Sequence, residues 1–123
     1  MNGDCIFCSI AAGSIPANVV AETDGVIAFR DLNPAAPTHV LVVPKAHVAD
    51  SAADLDRSHA GMLGEVFSVA ADVARAEGLD RGWRLVTNAG TGAGQTVFHL
   101  HFHVLGGWAA ANEAPALADE SGG

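Results

Sequence analysis

Gln95-Thr96-Val97-Phe98-His99-Leu100-His101-Phe102-His103-Val104-Leu105 is the stretch that decides how this chain is read. Side chains of a strand alternate between faces, which puts His99, His101 and His103 on one face and Phe98, Leu100, Phe102 and Val104 on the other. One face is core; the other is a row of imidazoles, successive histidine Cα atoms standing about 6.5–7 Å apart. Three of the six histidines of the chain thus fall within five residues. Such a row serves as a solvated strand face, as part of a metal site or as a nucleophilic centre. Solvated strand faces draw more readily on Thr than on His. Histidines at i and i+2 can share a metal, but three on one flat strand span too far to converge unaided. Imidazole is largely neutral near pH 7, its nitrogen attacks phosphorus or acyl carbon well, and it leaves again easily.

Working outward, residues 97–105 form the longest β segment, closed by Gly106-Gly107. Before it, the loop Ala89-Gly90-Thr91-Gly92-Ala93-Gly94 follows a strand over 83–88. Met62, Leu63, Val66, Phe67, Ala70, Val73 and Ala74 recur with the 3.6-residue period of an amphipathic helix that ends at Gly78. His59, just before this run, has no partner motif and is expected at the surface. Earlier still, 39–43 is β-rich and stops at Pro44, and the loop 31–38 carries two prolines and an Asn-Pro step. Residues 19–21 and 26–30 read as a hairpin about Thr23-Asp24-Gly25, and 5–12 as a short helix stopped by Gly13. This order does not alternate as parallel βαβ units do. It predicts an α+β fold: an antiparallel meander sheet with one long helix and a short N-terminal helix. Residues 1–108 are expected to be one domain, and 109–123, acidic and without periodicity, a mobile tail.

The chain has 123 residues, half of them hydrophobic, and a formal charge of -8. That balance disfavours nucleic acid and anionic membrane surfaces as partners. Phosphates, if bound, must be met by directed donors such as backbone N–H, amides, hydroxyls and imidazoles. No apolar run approaches the ~20 residues of a membrane span, and the N-terminus lacks the pattern of a signal peptide, so the cytoplasm is the expected location. The only cysteines, Cys5 and Cys8, form a Cys-x-x-Cys pair, which in a reducing compartment points to metal binding or redox work. No strand precedes Cys5, against a thioredoxin-like site.

His99-Leu100-His101-Phe102-His103-Val104-Leu105 resembles the signature of the histidine-triad (HIT) proteins, His-φ-His-φ-His-φ-φ with φ apolar. Cys5-Ile6-Phe7-Cys8, Ala28-Phe29-Arg30-Asp31-Leu32-Asn33-Pro34, Ala36-Pro37-Thr38-His39, Val43-Pro44-Lys45-Ala46-His47 and Gly94-Gln95-Thr96-Val97-Phe98 match in the same order. Gly106-Gly107 resembles the Hint branch, which comprises nucleoside phosphoramidases, rather than the Fhit-like dinucleoside polyphosphate hydrolases.

The resemblance implies that His101 is a nucleophile toward the α-phosphorus of a purine nucleotide, with His103 and His39 beside the phosphate. Asn88, Gln95 and Thr96 match its polar phosphate-site positions, Val97 adjoins them, and Asp31 matches the acid that holds ribose hydroxyls. Phe7, Phe29 and Leu32 are expected in the core or lining the base pocket. On their residue types alone, Asn88 reads equally as a turn residue and Asp31 as an Asx-turn. The resemblance further implies one structural zinc per chain, held by Cys5, Cys8, His47 and His99, and a homodimer formed through the long helix and the triad-side strands. The alternatives are a dinucleoside polyphosphate hydrolase, a nucleotide-binding scaffold with little turnover, and a metal-dependent hydrolase using the triad as ligands. Hint relatives end in a Trp-Pro-Pro-Gly tail; here Trp108 follows the glycines and that motif is missing.

Overall fold

A computed structural model describes residues 5–110 and 113–115 of the chain. Of the expected tail, residues 111–112 and 116–123 lie outside the described residues. In chain order the elements are α1 (Ile6–Ala11), β1 (Val19–Glu22), β2 (Val26–Arg30), β3 (Thr38–Pro44), α2 (Ala60–Ala76), β4 (Trp83–Val86) and β5 (Phe102–Gly106). The five strands form one sheet in the order β1-β2-β3-β5-β4, every neighbouring pair antiparallel. This is the α+β architecture the sequence predicts. The first three strands are a meander; β5 then pairs with β3, and β4 takes the edge.

The period-2 pattern divides the central strands between two cores. Val26 and Ala28 of β2, Val40 and Val42 of β3, and Phe102 and Val104 of β5 bury themselves with Val66, Val69, Ala70 and Val73 of α2. Each such valine contributes roughly 1.5–3 kcal/mol of transfer free energy. The alternate residues Ile27, Phe29, Leu41 and Val43 pack with Phe7 of α1. His39, Leu41 and His103 share this second face, since Leu41 lies opposite His103 in the β3–β5 register. The helix α2 ends in a Schellman motif: Leu79 N–H donates to Ala74 O at 2.9 Å, Gly78 N–H to Arg75 O at 3.2 Å, and Gly78 supplies the φ of +72°. His59 is half-buried and caps the turn before α2, its Nδ1 accepting the Asp56 N–H at 3.0 Å.

The strand expected over 97–105 begins only at Phe102. Continuing the register that sets Val42 opposite Phe102 would bring Leu100 to Pro44, which has no N–H to extend a ladder. Leu100 N–H instead donates to Ala49 O at 2.9 Å. Leu100, Phe102 and Val104 reach the core as expected, whereas Phe98, ahead of the regular strand, is 44% exposed.

Gly106-Gly107 ends β5 under tight packing. A Cβ on Gly107, at φ +91°, would stand 2.9 Å from Pro37 Cβ, and one on Gly106 would stand 2.9 Å from Leu79 Cδ1. Gly107→Ala is therefore expected to cost about 1–3 kcal/mol through backbone strain and overpacking, read as a lower denaturant midpoint at constant slope. An unchanged midpoint would contradict this. Just beyond, the Arg84 guanidinium lies 5.3 Å from the centroid of the half-buried Trp108 ring, a cation–π contact between β4 and the end of the sheet.

Candidate active site

The backbone decides where each triad proton sits, because a carbonyl can only accept and an amide N–H can only donate. His99 Nε2 lies 2.7 Å from Pro44 O and must donate to it, leaving Nδ1 with a free lone pair. His101 Nδ1 lies 2.7 Å from His99 O and likewise donates, so the lone pair of His101 is on Nε2. His39 Nδ1 accepts the Ala35 N–H at 3.0 Å, which puts its own proton on Nε2. That proton is donated to His103 Nδ1, 2.8 Å away, so His103 carries its proton on Nε2. His103 Nε2 is buried and has no hydrogen-bond partner. The result is a lone pair on His101 beside an unanswered donor on His103, the two rings 5.1 Å apart between centroids.

Burial keeps these rings neutral. It lowers His39 against the opposing pull of Asp31, and lowers His101 despite the carbonyl of His99 and the charge of Asp31. His103 falls to about 4, through burial first and then repulsion by His101 and His39. Phe7 packs edge-on to His101, ring centroids 5.0 Å apart and planes at 84°, which shields one side of the His101 ring from water.

His99 takes no part in this pair. It is fully buried and turns its free Nδ1 to the thiols, 3.1 Å from Cys5 Sγ and 3.5 Å from Cys8 Sγ. Cys8 Sγ also lies 3.7 Å from His47 Nδ1, and the four ligand atoms of Cys5, Cys8, His47 and His99 are all within 4.8 Å of one another. Tetrahedral zinc, with Zn–S near 2.3 Å and Zn–N near 2.0–2.1 Å, spaces neighbouring S and N ligands by about 3.5 Å. The donor set fits. Both imidazoles are already oriented as ligands, His99 by Pro44 O and His47 by Asp50 Oδ1 at 2.7 Å from its Nε2.

A second group, Asp31, His39 and His103, also lies within 4.8 Å, but its protons oppose a metal. His39 accepts the Ala35 N–H at Nδ1 and keeps its proton on Nε2, so neither nitrogen offers a lone pair to an ion. The triad rings do not converge on one ion either, since His99 is turned to the cysteines.

The remaining sequence-assigned residues fall into distinct surroundings. Asp31 Oδ1 accepts the Asn33 N–H at 2.7 Å, the Asx-turn geometry, while Oδ2 stands 3.5 Å from His39 Nε2. Leu32 is 94% exposed and so is no core residue, because the proline-rich loop carries it off the sheet. Phe29 is only 4% exposed, on the β2 face covered by α1, and its ring packs edge-on against Phe7 with centroids 5.6 Å apart. Asn88 and Val97 are half-buried and Thr96 is exposed. Gln95, 4% exposed, spends its amide within the protein: Nε2 donates to Asp50 O at 2.6 Å and to Val97 O at 3.0 Å, and Oε1 accepts the Gly90 N–H at 2.8 Å. Thr87 Oγ1 donates to His101 O at 2.7 Å and steadies the backbone at His101. Sequence reasoning missed Thr87, Ala35 N–H, Pro44 O and Asp50; only Asp50, a carboxylate three residues after His47, left a sequence signal.

The HIT domain matches residues 12–109, and the chain belongs to that family. Protein HitA of Neisseria gonorrhoeae is 46% identical over 103 residues, covering 84% of this chain and 95% of the relative. A 14 kDa zinc-binding protein of Zea mays is 46% identical over 105 residues, covering 83% of this chain and 80% of the relative. Among solved structures, a HIT family hydrolase from Clostridium thermocellum superposes with a TM-score of 0.86 at 41% identity, covering 94% of this chain and 97% of the other.

Proposed function

We propose that the chain is a nucleotide hydrolase of the Hint type, cleaving the P–N bond of purine nucleoside phosphoramidates. The observation that carries this reading is the buried, unpartnered Nε2–H of His103 beside the free Nε2 lone pair of His101. An anionic phosphoryl oxygen answers the first; electrophilic phosphorus answers the second. His101 Nε2 attacks the α-phosphorus and forms an N–P bond as the P–N bond to the leaving amine breaks, the amine taking a proton from water. His101 Nδ1–H stays on the His99 carbonyl throughout. His103 Nε2–H, held by His39, donates to a non-bridging oxygen. Water then attacks the nucleotidyl-histidine, the N–P bond breaks, and the proton consumed in the first step is returned, giving a nucleoside monophosphate. Asp31 Oδ2 is assigned to ribose hydroxyls, Leu32 to the base, and Asn88, Thr96 and the Val97 backbone to the phosphate. Gly106-Gly107 supports the Hint assignment.

In the same reading one zinc per chain sits on Cys5, Cys8, His47 and His99. With four protein ligands the site is closed, so the ion ties α1 to the catalytic segment and activates no water. The similarity to a Clostridium thermocellum protein named as a hydrolase and to a maize protein named as zinc-binding supports these assignments. A homodimer is supported by Phe67, 55% exposed on α2, and by Trp83, 37% exposed on the edge strand β4; light scattering of the purified protein should give twice the chain mass. Among the described residues no helix is long and apolar enough to cross a membrane, and both cysteines are free, in keeping with the cytoplasm.

The test is turnover of purine nucleoside phosphoramidates against dinucleoside polyphosphates and nucleotide sugars. Phosphoramidates are expected to give the highest kcat/KM; preference for a polyphosphate, or turnover of none, would overturn the reading. The pH profile follows from the neutral rings. The nucleophile needs its lone pair, and a lowered pKa keeps that lone pair to lower pH. Activity is therefore lost only as pH falls through values below 6.5, and an acid limb of kcat/KM at or above 6.5 would contradict the assignment.

A further inference from the structure

Gln95 occupies a position matched to phosphate contact, yet its bonds point elsewhere. An amide has two N–H donors, and both are spent on the carbonyls of Asp50 and Val97. Its acceptor holds Gly90 N–H, and its own backbone N–H donates to Gly90 O at 3.1 Å. The amide orientation is fixed by these partners, since a backbone N–H requires Oε1 and two carbonyls require Nε2. The glycine-rich loop is thus closed on itself through Gln95 and tied by the same side chain to Asp50.

Asp50 is the other half of the connection. Its carboxylate accepts from His47 Nε2 at 2.7 Å, and the preceding residue, Ala49, accepts Leu100 N–H at 2.9 Å. His47 is one of the four residues of the Cys5, Cys8, His47 and His99 cluster. A continuous line of short bonds therefore runs from His47 through Asp50 and Gln95 to the loop at Gly90 and to Val97. At one end it meets the metal ligands, at the other the segment assigned to the phosphate.

We propose that Gln95 is a positioning residue that couples the Cys5/Cys8/His47/His99 site to the glycine-rich loop, so that filling either site tightens binding at the other. This rests on the zinc and nucleotide readings above. A metal on His47 fixes its ring and, through Nε2, the Asp50 segment that anchors Gln95. A phosphate held by Asn88, Thr96 and the Val97 backbone fixes the other end of the same strap, where Gln95 Nε2 donates to Val97 O. Each ligand meets part of the ordering cost of the shared segment, and linkage makes the effect reciprocal. Gln95 needs no contact with substrate to act in this way.

The experiment measures zinc affinity by competition with a chromophoric chelator, with and without saturating adenosine monophosphate, for the wild type, Gln95→Glu and Gln95→Met. Circular dichroism verifies that each variant is folded. Glu keeps the acceptor for Gly90 N–H but loses both donors; Met keeps the length and makes none of the bonds. In the wild type the nucleotide is expected to tighten zinc binding about fivefold or more, the lower end of typical couplings. In both variants the factor should fall toward one while each ligand still binds alone, a result that general destabilisation would not produce. Independent binding in the wild type, or an unchanged factor in both variants, would overturn the coupling and leave the two site readings standing. Failure of the wild type to bind zinc, or to bind the nucleotide, would remove the corresponding site and the coupling with it.

Discussion

His101→Ala is expected to reduce phosphoramidate turnover by more than about 10⁴-fold, beyond the usual range for loss of a general acid or base. The side chain accepts no bond that holds the fold together. Its Nδ1–H donates to the His99 carbonyl, and Phe7 packs against its ring, so truncation leaves a small gap and one unanswered carbonyl. The melting temperature should move little by comparison with the rate. His103→Ala should act differently: it removes the unpartnered Nε2–H, and is expected to slow each chemical step while leaving His101 in place. Substantial turnover by His101→Ala, assayed with material free of wild type, would contradict this division of roles.

Replacing Cys5 and Cys8 together with Ser should abolish zinc binding and lower the melting temperature by more than about 10 °C, because metal held only by the folded chain contributes its binding free energy to folding. The physical reason is local. Cys5 caps α1, with its Sγ accepting the Cys8 N–H at 3.2 Å, and six residues of helix have little stability without an anchor. His99 is fully buried with Nδ1 facing the sulfurs, so losing the ion leaves a polar atom without a strong partner. Elemental analysis should give one zinc per chain in the wild type. Metal-free wild type prepared without chelator, or a variant with the wild-type melting temperature, would contradict the structural role.

How far the sequence leads is plain at particular residues. The alternation across 99–105 separated Leu100, Phe102 and Val104 from the histidines without any knowledge of the sheet, because burial on one face imposes period 2. The long helix was equally readable: Val66, Ala70, Val73 and Ala74 are spaced as one buried stripe, and Gly78 supplies the left-handed stop. The exchange of β4 and β5 in the sheet was not, since a period says which face a residue occupies and nothing about its neighbours. The regular strand also starts later than the pattern suggests, because Pro44 offers no N–H to the ladder.

At the site, residue types carried the histidines and the Cys-x-x-Cys pair, but not the direction of any proton. Those directions depend on the Ala35 N–H and on the carbonyls of Pro44 and His99, and main-chain groups leave no trace in residue identity. Gln95 illustrates the opposite difficulty. Its residue type suits a phosphate contact, and only the fold reveals that both of its donors are engaged. Phe29 and Leu32 were likewise inseparable as apolar residues, yet one is sealed beneath α1 and the other stands in solvent.

The most direct test of the account is the covalent intermediate itself. Wild-type protein mixed with an adenosine phosphoramidate, quenched in acid-free denaturant on the millisecond to second scale and analysed by intact mass, should show an adenylylated chain, and peptide mapping should place the group on His101. An adduct on His99 or His103, or steady turnover through which no adduct accumulates under any quench and His101→Ala stays active, would contradict it.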